Sequence, residues 1–376
     1  MWRPLRPQQK RFAVLAIFTS LVEVATASGM RAGATLLLAA AAAAQDFDTP
    51  AFLYDQQRFH EQLEGSRWSA NQMDYVDGAS SAVLRNPYTL AFDPYDESLF
   101  VASFTLNHIV RLRLHEKRKA QYKVFVSGQD VDSPVGMVLD DGVLYVSSFT
   151  NDHVLRVGAQ NGSLLGKFGN EDELDCPEGL ALGPDGSIYV ASFLLKHIAR
   201  YEPRSGRYLG AFAPARDGSY EVSPSGALRW VASASAAEPP PLLGAEDLAF
   251  DHNGDLHVTA YWSNCIHKYN GTTGSFETAY GKGIVHGPVG ITVGRDGDVY
   301  VAAYKDNKIM RFTKDGRFIG VAAGASTKHQ RRPAISAPSG LAFADDGTLF
   351  VASYIASVVV RFNQSAGART YVRVTD

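Results

Sequence analysis

Three carboxylates are the side chains best placed to do chemistry in this sequence. Glu178 stands between Pro177 and Gly179, and Glu246 with Asp247 occupies the matching place 68 residues later. Oxygen donors brought together from two structural units suit a hard divalent cation such as calcium, with Glu178 and Glu246 as ligands, or two acids sharing one proton. Solvation or local capping of a loop is the plainer reading. Three hydroxyl-bearing rings, Tyr261, Tyr304 and Tyr354, recur at one place in a repeat, and Trp262 adjoins the first. Arg331 lies in a basic run with Lys328, His329 and Arg332. A pocket built from these groups has aromatic walls, carboxylates at one side and cations at the other; for the rings alone, core or rim packing is the plainer reading.

The elements that position these groups form a repeat. Six times a short apolar run ends in two small residues and an aromatic: Val101-Ala-Ser-Phe104, Val146-Ser-Ser-Phe149, Val190-Ala-Ser-Phe193, Val258-Thr-Ala-Tyr261, Val301-Ala-Ala-Tyr304 and Val351-Ala-Ser-Tyr354. The spacings of 45, 44, 68, 43 and 50 residues match a four-stranded propeller blade. Within one copy, Leu180-Ala-Leu182, Ile188 to Phe193, Ile198 to Tyr201 and Tyr208 to Phe212 read as strands, separated by turns at Asp185-Gly186 and Ser205-Gly206. A four-stranded sheet cannot bury both faces alone, so six copies in radial array close a ring. The expected fold is all-β, a six-bladed β-propeller of four-stranded antiparallel blades at about 86–128, 133–169, 176–212, 244–281, 287–322 and 337–375.

This pattern of Pro-x-Gly-(Leu/Ile)-Ala, Asp-Gly, Tyr-Val-Ala-Ser, Asn-x-(Ile/Val)-x-Arg-(Phe/Tyr) and Gly resembles NHL repeats. Those in turn resemble the six-bladed propellers of the SMP-30/gluconolactonase and virginiamycin B lyase group. The chain departs from the common NHL pattern by carrying Phe or Tyr where many repeats have Asp after Val-Ala. The resemblance implies the architecture and permits a metal-dependent lactonase, hydrolase or lyase activity. Such relatives use acidic and amide metal ligands, or His and Glu around the channel, and Glu178 with Glu246 matches part of such a set.

Ring geometry sorts the remaining candidates. The loops leading into the first strands share one face with the links between second and third strands, and the Gly turns share the other. First strands lie roughly 6 to 8 Å from the axis and third strands about 10 Å farther out. Glu178 and Glu246, on adjacent blades near the axis, can approach one cation. His108, His153 and His197 open third strands, too far apart for one zinc ion, and are expected to make blade-edge hydrogen bonds. His257 and His286 show no partner in the sequence.

Residues 1–45 have the order of a secretory signal, basic ends before apolar stretches and small residues before Gln45-Asp46. Residues 46–85 form an N-terminal extension ahead of the propeller at 86–376. No stable membrane span is expected, because Glu23 and Arg31 interrupt the apolar runs. A secreted protein is expected, and Asn161, Asn270 and Asn363 fit the N-glycosylation pattern on the Gly-turn face. Cys176 and Cys265 fall on one face of adjacent blades, where a single disulfide has narrow geometric limits. The insertion from Ala213 to Leu243, rich in Ala, Ser and Pro, reads as disordered, and the basic loop as solvated.

A formal net charge of −3 gives no attraction to nucleic acid, which with the leader speaks against RNA binding. No nucleophile elbow, phosphate loop, zinc signature or dinucleotide fingerprint is present, so no catalytic residue is assigned. The sequence reads as a monomeric binding scaffold for a protein, glycan or small-molecule ligand at the channel face, with Glu178, Glu246, Asp247, Tyr261, Tyr304, Tyr354 and Arg331 as contacts; the lactonase or lyase is the alternative.

Overall fold

The computed structural model describes residues 83–113, 121–214, 218–222, 228–232, 240–324, 335–362 and 369–371. The 1–45 leader, nearly all of the 46–85 extension, the basic run containing Arg331 and the sequon at Asn363 lie outside the described residues.

Six four-stranded antiparallel sheets follow one another along the chain. Blade 1 holds β1 (Pro87–Asp93), β2 (Ser98–Ser103), β3 (His108–Arg113) and β4 (Gln121–Ser127). Blade 2 holds β5 (Pro134–Asp140), β6 (Val143–Ser148), β7 (His153–Gly158) and β8 (Leu164–Phe168). Blade 3 holds β9 (Pro177–Leu182), β10 (Ile188–Ser192), β11 (His197–Tyr201) and β12 (Tyr208–Ala213). The insertion after it, which composition alone would leave disordered, carries a hairpin of β13 (Gly218–Val222) and β14 (Leu228–Ala232). Blade 4 holds β15 (Ala245–Phe250), β16 (Leu256–Ala260), β17 (Cys265–Tyr269) and β18 (Phe276–Tyr280). Blade 5 holds β19 (Pro288–Val293), β20 (Val299–Ala303), β21 (Lys308–Phe312) and β22 (Phe318–Gly324). Blade 6 holds β23 (Pro338–Phe343), β24 (Leu349–Ser353), β25 (Val358–Phe362) and β26 (Arg369–Tyr371).

Second strands are packed on both faces, so they read as unbroken apolar runs instead of alternating ones. Every residue of β10, β16, β20 and β24 is buried. The outermost strands β8 and β22 are mostly exposed. Six apolar clusters fill the six joints between blades. At the closing joint Leu90, Val101 and Val110 of blade 1 pack with Phe350, Ala352 and Val359 of blade 6. Burying each larger side chain stabilises by about 1.5–3 kcal/mol, so the closing joint has the same kind of cement as the rest. Among the described residues no strand is exchanged between blades 1 and 6.

A second device registers the blades. The residue before each first strand has positive φ, as has the last residue of each link between second and third strands. At five of the six joints the link side chain accepts a hydrogen bond from the backbone N–H of the next blade's lead-in residue; at the joint between blades 3 and 4 the link residue is Lys196, whose side chain cannot accept. Asn107 takes Ser133 at 3.0 Å, Asp152 takes Cys176 at 2.9 Å, Asn264 takes Gly287 at 2.7 Å and Asn307 takes Ala337 at 2.7 Å. Ser357 of blade 6 takes Asn86 of blade 1 at 3.2 Å, so the same latch closes the ring. Short oxygen-bearing side chains suit this place because they tolerate the left-handed conformation and reach a nearby backbone group.

His153 meets the carbonyls of Asn151 at 3.0 Å and Asp130 at 3.3 Å, and His108 meets that of Val83, as blade-edge hydrogen bonds require. His257 and His286, partnerless in the sequence, pair with Asp251 at 3.3 Å and Asp306 at 2.9 Å. Cys176 and Cys265 are free, buried thiols. Among the described residues no helix is long and apolar enough to cross a membrane.

Candidate functional site

Six aromatics crown the face where the links lie. The repeat produces them directly: the N–H of Phe104, Phe149, Phe193, Tyr261, Tyr304 and Tyr354 donates to the lead-in carbonyl of Asn86, Ser133, Cys176, Gly244, Gly287 and Ala337 respectively. In blades 1, 2, 3 and 6 the preceding serine adds a clasp. The hydroxyls of Ser103, Ser148, Ser192 and Ser353 accept from and donate to the backbone of Arg85, Asp132, Asp175 and Ser336. This explains the serine before four of the six rings, a signal visible in the sequence and not read there.

Four of the rings join into an arc. Phe104 and Tyr354 lie 6.1 Å apart, Tyr354 and Tyr304 6.2 Å, and Tyr304 and Tyr261 6.4 Å. Tyr88 of β1 completes it, 5.7 Å from Phe104 and edge-on to Tyr354 at 6.0 Å. Each of these rings is half-buried. Trp262 instead packs edge-on to Phe193 at 5.0 Å.

Inside the arc stand the acids. Glu178 on β9 and Glu246 on β15 are 5% and 7% exposed. The Tyr88 phenol reaches from blade 1 to the opposite blade 4 and donates to Glu246 Oε2 at 2.7 Å. Tyr88 also works against the rise of the Glu178 pKa, but its one hydroxyl proton goes to Glu246, and Glu178 Oε2 is buried without a hydrogen-bond partner. No ion pair to Glu178, Glu246 or Asp247 forms among the described residues. Burial first, and then the charges of Glu246 and Asp247, push Glu178 well above the usual carboxylate range. Glu246 is pushed up by burial and by Asp247, against the lowering effect of Tyr88.

Asp247 has a different task. It replaces the glycine that blades 2, 3, 5 and 6 carry at this place, Gly136, Gly179, Gly290 and Gly340. Its Oδ1 accepts the Leu248 N–H at 2.9 Å and its Oδ2 the Ile291 N–H of blade 5 at 3.1 Å. Beside it Thr259 accepts the Asp247 N–H at 2.9 Å and donates to the Val289 carbonyl at 2.6 Å. Asp247 thus bolts blades 4 and 5 together and fixes Glu246 next to it; burial pushes its carboxyl up to about 7 despite two N–H donors.

The expected carboxylates and tyrosines therefore do come together, with Glu178, Glu246, Tyr304, Tyr354 and Tyr261 around the mouth of the channel. From the sequence Tyr88 stands at the same innermost position as Glu178 and Glu246, the second residue of a first strand, and Phe104 is one of the six repeat aromatics, but neither is expected there as a contact.

The donors do not suit calcium. It takes six to eight oxygens, whereas Asp247 is committed to two backbone amides and Glu246 to Tyr88. The only trio of acidic, cysteine or histidine ligand atoms within 4.8 Å of one another among the described residues is Asp152, Asp175 and Cys176. There Asp152 already latches the Cys176 N–H. Burial first, then Asp175 and Glu171, raises Asp152 to about 6, and burial pushes the Cys176 thiol up, away from the thiolate a metal needs.

No family model matches the chain, and no curated protein matches it. Solved structures do. The chain is similar to a catalytically inactive variant of virginiamycin B lyase from Staphylococcus aureus with quinupristin, at 15% identity and TM-score 0.51, over 80% of this chain and 88% of that one. It is similar to a streptogramin B lyase structure at 14% identity and TM-score 0.52, over 81% and 87%. It is similar also to the WD40 β-propeller domain of Doa1 at 14% identity and TM-score 0.53, over 80% and 97%. At these identities the likeness is one of fold: this chain is a six-bladed β-propeller.

Proposed function

We propose that this propeller is a recognition scaffold whose ligand, a small molecule or a group projecting from a protein or glycan, docks on the aromatic collar over Glu178 and Glu246. The observation that carries this reading is the buried, unpartnered Oε2 of Glu178 inside an arc of half-buried rings. A buried polar atom without a partner costs roughly 1–3 kcal/mol, and a ligand that satisfies it recovers that cost. Rings and carboxyls come from different blades, so the rigid joints hold the arrangement before any ligand arrives, which lowers the entropy cost of binding. The repeats belong in this reading with NHL-type propellers. The test is a ligand screen with the full chain, followed by Glu246→Ala and Tyr304→Ala; unchanged affinity of both variants for an identified ligand removes the collar.

Export is part of the proposal. Asn161 lies exposed in its turn, and Asn270 stands in the corresponding turn of blade 4, where sugar would leave the collar clear. Loss of mass on N-glycosidase treatment of protein from a eukaryotic secretory host supports export; a mass equal to the bare mature chain counts against it.

A second reading, a lyase or hydrolase, is favoured by buried carboxyls raised toward neutrality beside half-buried rings, a feature common at catalytic centres. Since the donor set does not suit calcium, acid–base chemistry by Glu178 and Glu246 is the form this enzyme would take. Turnover of a lactone or cyclic ester by the wild type, lost in Glu178→Gln, supports it.

A further inference from the structure

The collar also says what kind of group it takes. We propose that the channel mouth binds a protonated amine or quaternary ammonium group, seated on the tyrosine arc with its charge toward Glu178. This rests on the collar being the binding face. Two acids and a bolting aspartate lie together with no cationic partner among the described residues, and one oxygen of Glu178 is buried and unpartnered. Burial favours the protonated form of Glu178; a cation seated beside its unpartnered oxygen favours the carboxylate, whereas an anionic ligand would oppose any ionisation of the three acids.

The walls choose among cations. A divalent metal needs more oxygens than this site leaves uncommitted, whereas the faces of Tyr and Phe attract ammonium groups through the ring quadrupole. One collar ring already does so within the chain. Lys305 places its ammonium 4.8 Å from the centroid of Tyr261. Tyr304 and Tyr354 continue the same arc, and Tyr304 is close enough to Glu246 to feel its charge. Rings beside buried carboxyls therefore form a cage for a compact organic cation.

The test compares choline with 3,3-dimethylbutan-1-ol, which has the same shape and no charge, by calorimetric titration of the full chain at constant ionic strength. A peptide carrying one trimethyl-lysine, run in parallel, separates a protein side chain from a free small molecule as the source of the ammonium. Choline or the peptide should bind at least about tenfold more tightly than the alcohol. Glu178→Gln and Tyr304→Ala should each weaken that binding by about fivefold or more, a loss within the range of one cation–π contact. Tyr304→Leu serves if Tyr304→Ala does not fold.

Equal binding of choline and the alcohol overturns the proposal, as does choline binding that Glu178→Gln leaves within twofold. So does choline binding that appears only when Lys328, Arg331 and Arg332 are replaced by Ala, because the chain's own cations would then be the occupant. A neutral sugar that binds and is lost in Tyr304→Ala, with choline inert, removes the ammonium and keeps the collar. If no probe responds to either substitution, the collar falls as well.

Discussion

Tyr88 of blade 1 hydrogen-bonds Glu246 of blade 4 at 2.7 Å, so a single phenol ties opposite sides of the ring across the channel mouth. The bond lowers the Glu246 pKa against the burial that raises it. Tyr88→Phe keeps the ring and its packing on Phe104 and Tyr354 but removes the donor. The variant should lose about 1–3 kcal/mol of unfolding free energy at pH 8, because a buried acceptor is left unsatisfied. It should also raise the Glu246 pKa further, since a hydrogen bond to the charged form is gone. Urea unfolding and carboxyl-carbon NMR titration measure both; no change in either would mean that the phenol does not bridge the ring.

The raised carboxyls predict how stability follows pH. Glu178, Glu246 and Asp247 have folded pKa values above the roughly 4 of unfolded chains. Each binds its proton more tightly when folded, so its contribution falls as pH rises from the unfolded value through the folded one, about 7 for Asp247. His153 and His267, lowered chiefly by burial and the latter to about 4, act in the opposite sense between about 4 and 6.5. Above pH 6.5 the histidines no longer oppose the acids. Unfolding free energy should therefore drop by on the order of 1–2 kcal/mol between pH 6.5 and 8, and Glu178→Gln with Glu246→Gln should flatten the slope. A wild-type curve that is level or rising there would refute the assignment.

The fold was legible because each blade repeats its own physics. Val-Ala-Ser-Phe encodes a strand buried on both faces, a serine clasp and a rim aromatic in four residues, and the Asp-Gly turns mark where strands reverse. The acids were legible because they break the repeat, Glu178 and Glu246 where blades 2, 5 and 6 carry Val or Ser, and Asp247 where blades 2, 3, 5 and 6 carry Gly. Their roles were not. That Asp247 spends both oxygens on backbone amides depends on Ile291 arriving from the next blade, a relation no local pattern contains. The bond from Tyr88 to Glu246 was not legible because the two lie 158 residues apart. The hairpin β13–β14 was hidden by the Ala, Ser and Pro content around it.

The latches predict equal joints. Asn307→Ala removes the acceptor of the Ala337 N–H between blades 5 and 6, and Ser357→Ala removes that of the Asn86 N–H at the closing joint. Each should cost about 1–2 kcal/mol, the value of a short side chain capping a backbone donor. Similar losses in urea unfolding would fit a ring closed by latch and apolar packing. A several-fold larger loss for Ser357→Ala would show that the closing joint carries a special burden.

Gly179 gives the strictest test of how the two acids are held. A Cβ there would run into both the carboxylate and the backbone Cα of Asp247, because β9 and β15 pass in close contact at this point. Gly179→Ala must push β9 away from β15 and should destabilise by about 1–3 kcal/mol, as overpacking of a close-packed joint does. Glu178 precedes this glycine and Glu246 precedes Asp247, so the same shift alters the spacing of the two glutamates and weakens collar binding. Removing only the carboxylate, in Gly179→Ala with Asp247→Ala, should recover little, because the Asp247 Cα remains 2.6 Å from the added methyl position. Full recovery of both stability and binding in the double variant would show that the joint is set by the aspartate side chain and not by the backbone contact.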